Sequence, residues 1–304
     1  MNAMKSFLQT KEWLEFQRSV GNKCWRYDEN GISANIVQSS LPFGKNYLYV
    51  SYGPEIDLRA MQGGLKNTLG QFISYLKKIA RAEGSIFVKI EPMVDAVAEL
   101  LYPYGLRKSK RNLQPQRTLV VNLNQDEYGL LGQMHHKTRY NIKVAQNHNI
   151  VTKQISDIDV FLKLMSKTTQ RDKFSSHPRE YYEKLLQLTR PLSTELTIAY
   201  HEDVPVAGAI ILFYEKTGYY LHGASDYEYR NLMAPYALHW DSMRRLKTNG
   251  FEHYDLWGID AKQWPGVSRF KHGFGGRTVE YPGAFDLPIS KFWYFLYNQA
   301  RKIF

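Results

Sequence analysis

The chain has 304 residues, 43% of them hydrophobic and 23% charged, which excludes a small stapled scaffold and a broadly disordered chain and allows one large or two ordinary globular domains. Forty Lys and Arg against 29 Asp and Glu leave a net charge of +11, which favours a polyanionic partner such as RNA, a phosphate-bearing substrate or an anionic membrane surface. One cysteine, Cys24, permits neither an internal disulfide nor a multi-cysteine zinc site and fits a reducing cytoplasm.

From Met1 to Phe16 the chain lacks the continuous apolar region of a signal peptide. Trp25 opens a strand, Asp28 to Gly31 a turn, and strands follow at Ile32 to Val37 and Tyr47 to Tyr52, an antiparallel meander. Arg59 to Glu83 has helical spacing (Leu65, Leu69, Phe72, Ile73, Leu76, Ile79, Ala80), stops at Gly84, and gives way to a β-rich run from Ser85 to Glu91. A short helix at Val97 to Tyr104, a strand at Arg117 to Leu123 and a cationic helix from about Gln125 to His148 come next. Meander, helix and strand then recur: strands at Leu196 to Tyr200, Val206 to Tyr214 and Tyr219 to Ala224, a helix from about Ala234 to Asn249 stopping at Gly250, and a strand at Phe251 to Trp257. This order predicts two α/β (α+β) units in tandem, divided near residue 124 into 1–123 and 124–282. The longest apolar stretch, Val204 to Tyr214, is broken by Pro205 and Gly208 and falls short of the roughly 20 residues that span a bilayer. The aromatic run after Lys291, ending in Arg301 and Lys302, reads either as a helix packed on the body or as a segment that docks on a membrane interface.

The strongest local signal is Gly266-Val-Ser-Arg-Phe-Lys-His-Gly-Phe-Gly-Gly276. A lysine set among aromatics and glycines after a strand is suited to meeting negative charge on a substrate, so Lys271 with Phe270 is the first candidate for catalysis. The bland alternative is a glycine-rich turn with core phenylalanines and a solvated lysine. Lys137, Arg139 and Lys143 give the cationic helix a phosphate-binding face, or merely a solvated one, and the basic loop 107–117 adds a second cluster. The polar stretch holding Arg171, His177 and Tyr181 suits a substrate groove or a surface loop. Strand alternation puts Tyr220 and His222 on one face. Ser-hydrolase, P-loop, dinucleotide-binding and His-Glu-x-x-His motifs are absent, the histidines show no metal-ligand spacing, and Cys24 has no partner base. No cofactor or metal is expected.

Trp13-x-x-Phe16, Tyr52-Gly-Pro54, Lys137-x-Arg-Tyr-Asn-Ile-Lys143-x-Ala145, Tyr220-Leu-His-Gly-Ala-Ser225, Met233-Ala-Pro-Tyr-Ala237 and Phe270-Lys-x-x-Phe-Gly-Gly276 together resemble the Fem-type (FemABX) aminoacyltransferases across nearly the whole chain. The resemblance implies two tandem GNAT-like acyltransferase domains, and transfer of an amino acid from aminoacyl-tRNA, as co-substrate, to the stem-peptide amine of a nucleotide- or lipid-linked peptidoglycan precursor. It implies a cytoplasmic enzyme, peripheral at the inner membrane face, of the compact type without a helical arm, with a C-terminal helix, 283–304, returning to the first domain. Lys271 would stabilise charge on the ester carbonyl beside Phe270, and Tyr181 would bind the precursor. His177, His222 and Glu91 stand where the family has arginine, tyrosine and aspartate. The group that takes the amine's proton stays open among Glu91, His222, Asp255 and the tRNA 2′-hydroxyl. Two other readings remain: an acyl-CoA N-acyltransferase of GNAT type, although Arg59 to Gly64 and Arg230 to Ala234 do not form its pyrophosphate loop, and a non-catalytic RNA-binding module.

Overall fold

The structure, a computed structural model, describes residues 5–57 and 64–303, the last two without side chains. The chain divides into two compact units, Met1–Gln116 with Tyr281–Phe304, and Arg117–Glu280.

In the first unit, Thr10 caps helix α1 (Lys11–Ser19) by accepting from Trp13 N at 3.1 Å, and the helix buries Trp13, Leu14 and Phe16. The expected meander is β1 (Cys24–Glu29), β2 (Ile32–Leu41) and β3 (Lys45–Val50), followed by a short β4 (Glu55–Ile56) on β2. Helix α2 (Leu65–Ala82) runs to Gly84, whose φ of 63° is the left-handed turn a glycine makes without strain; the expected start at Arg59 lies outside the described residues. Its buried stripe of Leu69, Phe72, Ile73 and Leu76 packs with Ile36, Leu48, Val50, Val88 and Ile90 of the sheet. Strand β5 (Phe87–Ile90) runs parallel to β3. Helix α3 (Asp95–Leu101) and β6 (Arg107–Lys108) precede the crossing to the second unit, and β14 (Phe285–Pro288) comes back to pair with β5 and β6. The sheet order is β1-β2-β3-β5-β14-β6. Helix α10 (Lys291–Ile303) sets Tyr294 and Tyr297 against Phe87.

The second unit repeats this plan. Strands β9 (Ser193–His201), β10 (Val204–Tyr214) and β11 (Thr217–Ser225) form the meander, α8 (Ala234–Thr248) follows, and β12 (His253–Gly258) lies parallel to β11. The order β13-β7-β12-β11-β10-β9-β8, with β7 (Arg117–Asn122), β8 (Val151–Ile155) and β13 (Arg277–Glu280), reads across the sheet as the first unit does, with β7 in the place of β14. Each unit therefore receives, next to its parallel pair, a strand from the segment that follows the other unit in the chain.

That exchange moves the division. β7 lies before the expected cut at 124, but its partners are β12 and β13, so the second unit begins at 117. The single cationic helix is two, α4 (Glu127–Gln133) and α5 (His136–Asn147). Met134 is extended and buried, His135 N donates to Gly273 O at 2.9 Å, and the His135 ring caps α5, so the backbone must turn there. The polar stretch after residue 157 is largely helical, as α6 (Ile158–Asp172) and α7 (Arg179–Leu186). The glycine-rich run around Lys271 is not a loop either: α9 (Pro265–His272) starts at a proline, which suits a first helical turn, and carries Phe270 and Lys271 in its last turn. Among the described residues no helix is long and apolar enough to cross a membrane.

Candidate functional site

In the second unit β11 and β12 hold parallel register only from Thr217 to Tyr219 opposite His253 to Asp255. β11 also bulges against β10, where Ile210 pairs with His222 and Ile211 with Tyr220, leaving Leu221 as an extra residue. The expected shared face for Tyr220 and His222 is therefore wrong: the bulge sends them to opposite sides of the sheet. Tyr220 turns toward α8, where its ring meets His239 edge-on at 4.5 Å, and lies so close over Gly223 that a Cβ there would stand 1.6 Å from the phenol oxygen. His222 turns toward α7 and packs with His177, Tyr181 and Tyr182.

Tyr220, Phe270, Lys271 and Arg171 line one cleft of about 450 Å³, together with Tyr236, His239 and Trp257. Lys271 is only 7% exposed and donates to Gly258 O on β12 at 2.8 Å. Its ammonium lies 5.5 Å from the Tyr220 ring centroid. Burial drives its pKa down to about 8, and the Asp255 carboxylate opposes that fall. Asp255 is held by Thr118 and by Trp257 N at 2.7 Å, and burial raises it to about 6. His239, 1% exposed and bonded through Nδ1 to Tyr254 Oη at 2.8 Å, is pushed to about 3 by burial and then by the Lys271 charge. Burial lifts Tyr220 to about 12. At neutral pH the Lys271 ammonium thus sits among neutral aromatic side chains, with Tyr220 and His239 uncharged beside it. Phe270 packs edge-on to Tyr236 at 4.9 Å and fixes the helix turn that aims Lys271. At the mouth the Tyr227 ring has the guanidinium of Arg171 at 5.5 Å and that of Arg230 at 4.5 Å.

The remaining predicted residues lie elsewhere. His177 stacks on Tyr181 at 3.9 Å, and Tyr181 Oη is 3.4 Å from His222 Nε2, an aromatic cluster behind α7 that does not line the cleft. Burial lowers His222 to about 3. Glu91 belongs to the first unit, where its carboxylate accepts from Tyr49, from Leu113 N at 2.5 Å and from Gln114 N at 3.0 Å, pinning the segment before β7. Burial raises its pKa. Of the cationic helix, Lys137 and Lys143 are exposed, but Arg139 donates to the Leu131 and Met134 carbonyls and caps α4, so it is not part of a free phosphate-binding face. Sequence reasoning missed His239, Trp257 and Arg230. A histidine on the buried side of α8, four residues after Pro235, is the one signal that was there to find.

Parallel strands that part around a buried cation, in a plan used twice, define an acyltransferase of tandem GNAT-like architecture. A tandem GNAT protein from the clavulanic acid biosynthesis pathway superposes with a TM-score of 0.56 at 10% identity, over 92% of this chain and 95% of that one. The crystal structure of FemX does so at 0.79 and 20% identity, over 97% and 95%. The FemAB family pattern matches residues 104–200 and 190–302, and the chain belongs to that family. It is similar to the lipid II:glycine glycyltransferase of Staphylococcus epidermidis, 22% identical over 97% of this chain and 90% of the relative. That alignment runs over 385 positions, more than this chain's 304 residues, so the relative carries inserted sequence that this compact member lacks.

Proposed function

We propose that the protein transfers an aminoacyl group from aminoacyl-tRNA to the stem-peptide amine of a lipid-linked peptidoglycan precursor. The observation that carries this is Lys271, a desolvated ammonium at the floor of an aromatic cleft where β11 and β12 part. The named activity of the staphylococcal relative supports the choice of acceptor. An aminoacyl ester is already activated, so the protein needs to hold the amine against the carbonyl and stabilise the charge that develops on oxygen. The amine nitrogen bonds to the carbonyl carbon, the ester C–O bond to the terminal ribose breaks, and the amine's proton ends on the departing ribose oxygen. Lys271 meets the oxyanion. Asp255 stands behind it and keeps it protonated. Glu91, fully engaged within the first unit, is not the base. Arg230 at the mouth supplies charge for phosphates, while the Arg171 guanidinium is held by both oxygens of the Asp172 carboxylate at 2.7 Å.

The test is transfer of labelled amino acids from a bulk charged-tRNA pool to nucleotide-linked and lipid-linked precursors, with acetyl-CoA as a competing donor. Label on the lipid-linked acceptor, lost in Lys271→Ala, is the expected result. Acyl transfer from the coenzyme A thioester with none from any charged tRNA overturns the reading in favour of an acyl-CoA N-acyltransferase.

A further inference from the structure

Helix α10 carries its apolar side outward. Tyr294 and Tyr297 face inward onto Phe87, at 5.5 and 4.8 Å between ring centroids, and Tyr294 donates to Asp286 at 3.0 Å. Phe292, Phe295 and Leu296, at helical spacing on the other side, are 65%, 58% and 38% exposed. An ordinary surface helix puts polar residues there. A second element of the same unit reaches this face. Lys45, at the end of the β2–β3 turn, sets its ammonium 4.1 Å from the Trp293 ring centroid, and Phe43 at the tip of that turn is 96% exposed. Phe43 has a φ of 60°, a left-handed conformation costly for a bulky residue, and spends it on holding a ring in solvent.

The charges around these rings have one sign. Residues 41–46 and 290–301 contain no Asp or Glu and hold Lys45, Lys291 and Arg301. The acid that faces α10, Asp286, is buried and neutralised by Lys89 at 2.7 Å. A second copy seated on the same face by two-fold symmetry would bring these cations against themselves. A nucleic acid would be tracked by cations interleaved along a groove, whereas here a contiguous apolar stripe is flanked by cations at its edge. Phenylalanine and leucine below, with tryptophan and lysine at the rim, match the boundary between acyl chains and anionic headgroups.

We propose that α10 and the β2–β3 turn form a docking surface for an anionic bilayer. Phe43, Phe292, Phe295 and Leu296 enter the headgroup boundary, and Lys45 and Lys291 meet lipid phosphates. The proposal deepens the reading of a lipid-linked acceptor and rests on it for its purpose, but the binding can be tested independently.

The full chain is floated with vesicles of phosphatidylcholine alone or mixed equally with phosphatidylglycerol, at low and high salt, as wild type and as Phe292→Ser/Phe295→Ser. The wild type should bind the anionic vesicles, release at high salt and ignore the neutral ones, and the variant should partition at least ~10-fold more weakly at unchanged circular dichroism. Transfer to a vesicle-embedded acceptor should fall with it, while transfer to a nucleotide-linked acceptor stays at the wild-type rate. Equal partitioning of variant and wild type overturns the proposal. So does loss of a dimer in the variant, which would make the face a contact between copies, or weakened tRNA binding with vesicle binding intact, which would make it an RNA platform. If neither protein transfers to any acceptor yet their vesicle binding differs as stated, the surface stands and the proposed reaction falls.

Discussion

The ammonium of Lys271 should govern how transfer responds to pH. Burial takes its pKa from the ordinary 10.5 to about 8, a displacement that corresponds to roughly 3 kcal/mol against the charged form. With that value about 90% of the protein carries the cation at pH 7 and about 10% at pH 9, whereas an ordinary lysine would stay almost fully charged. The acceptor amine becomes more nucleophilic over the same range, so the informative quantity is the single-turnover rate of wild type divided by that of Lys271→Ala. Loss of an oxyanion-stabilising group sets this ratio at ~100 to 1,000 near neutrality, and it should shrink about ten-fold between pH 7 and pH 9 as the ammonium discharges. The ¹³Cε resonance of Lys271, assigned by its disappearance in the alanine variant, should titrate over the same range. A ratio that stays flat to pH 10 would refute the desolvated-cation argument, and one that rises through pH 8 would make the neutral amine a general base instead.

Lys271→Met keeps the side-chain volume and removes a charge that the fold accommodates poorly, so its unfolding free energy should stay within about 1 kcal/mol of wild type while transfer is lost; a large drop in stability would mark the lysine as structural. In Gly223→Ala the new methyl meets Tyr220 Oη at 1.6 Å, and the overpacking should cost roughly 1–3 kcal/mol in the wild-type background but far less in Tyr220→Ala, whose own cost is the cavity the ring leaves; urea unfolding of Gly223→Ala, Tyr220→Ala and the double variant decides. His239 titrates near 3 in the folded protein against 6.5 as an ordinary histidine, so as pH falls below 6.5 the unfolded chain takes up the proton first and stability drops. The loss attributable to this ring is about 2 kcal/mol at pH 5. Urea titrations at pH 7 and pH 5 should show a smaller loss in His239→Gln, and equal losses in the two proteins would sink the argument.

The duplicated plan was legible because both halves carry the same local signals: a meander with turn residues, a long helix stopped by Gly84 or Gly250, then an apolar strand. What local signals do not contain is the partner of a strand. Residues 117 to 122 read as a strand from either side of a cut, and only pairing with Tyr254 and Asp255 assigns them to the second unit. The helix at 125 to 148 failed for a related reason. Nothing in its helical periodicity announces that Met134 is buried and that the neighbouring His135 N–H is taken by the carbonyl of Gly273, 138 residues later in the chain.

The site shows the same division at finer scale. Lys271 and Phe270 stood out by their neighbours in sequence, and α9 does present them together at the cleft. The role of Tyr220 turns on one unpaired residue: alternation along a strand is a rule about regular pairing, and the bulge at Leu221 cancels it, giving the tyrosine to the lysine and the histidine to the cluster behind α7. A bulge adds no charge, aromatic ring or glycine that a reader of the chain would notice, yet without it His222 would share the cleft face with Tyr220. Its ring would then lie near the Lys271 ammonium, adding to the neutral His239 already there a second group that titrates in the cleft. The separation of His222 from Lys271 is thus a property of strand register: the extra residue Leu221 makes Tyr220 and His222 effective neighbours in the ladder, so deleting it would keep them on opposite faces and remove only one side chain from the cleft wall, whereas a slip that pairs Leu221 regularly would bring the histidine round to the tyrosine's face.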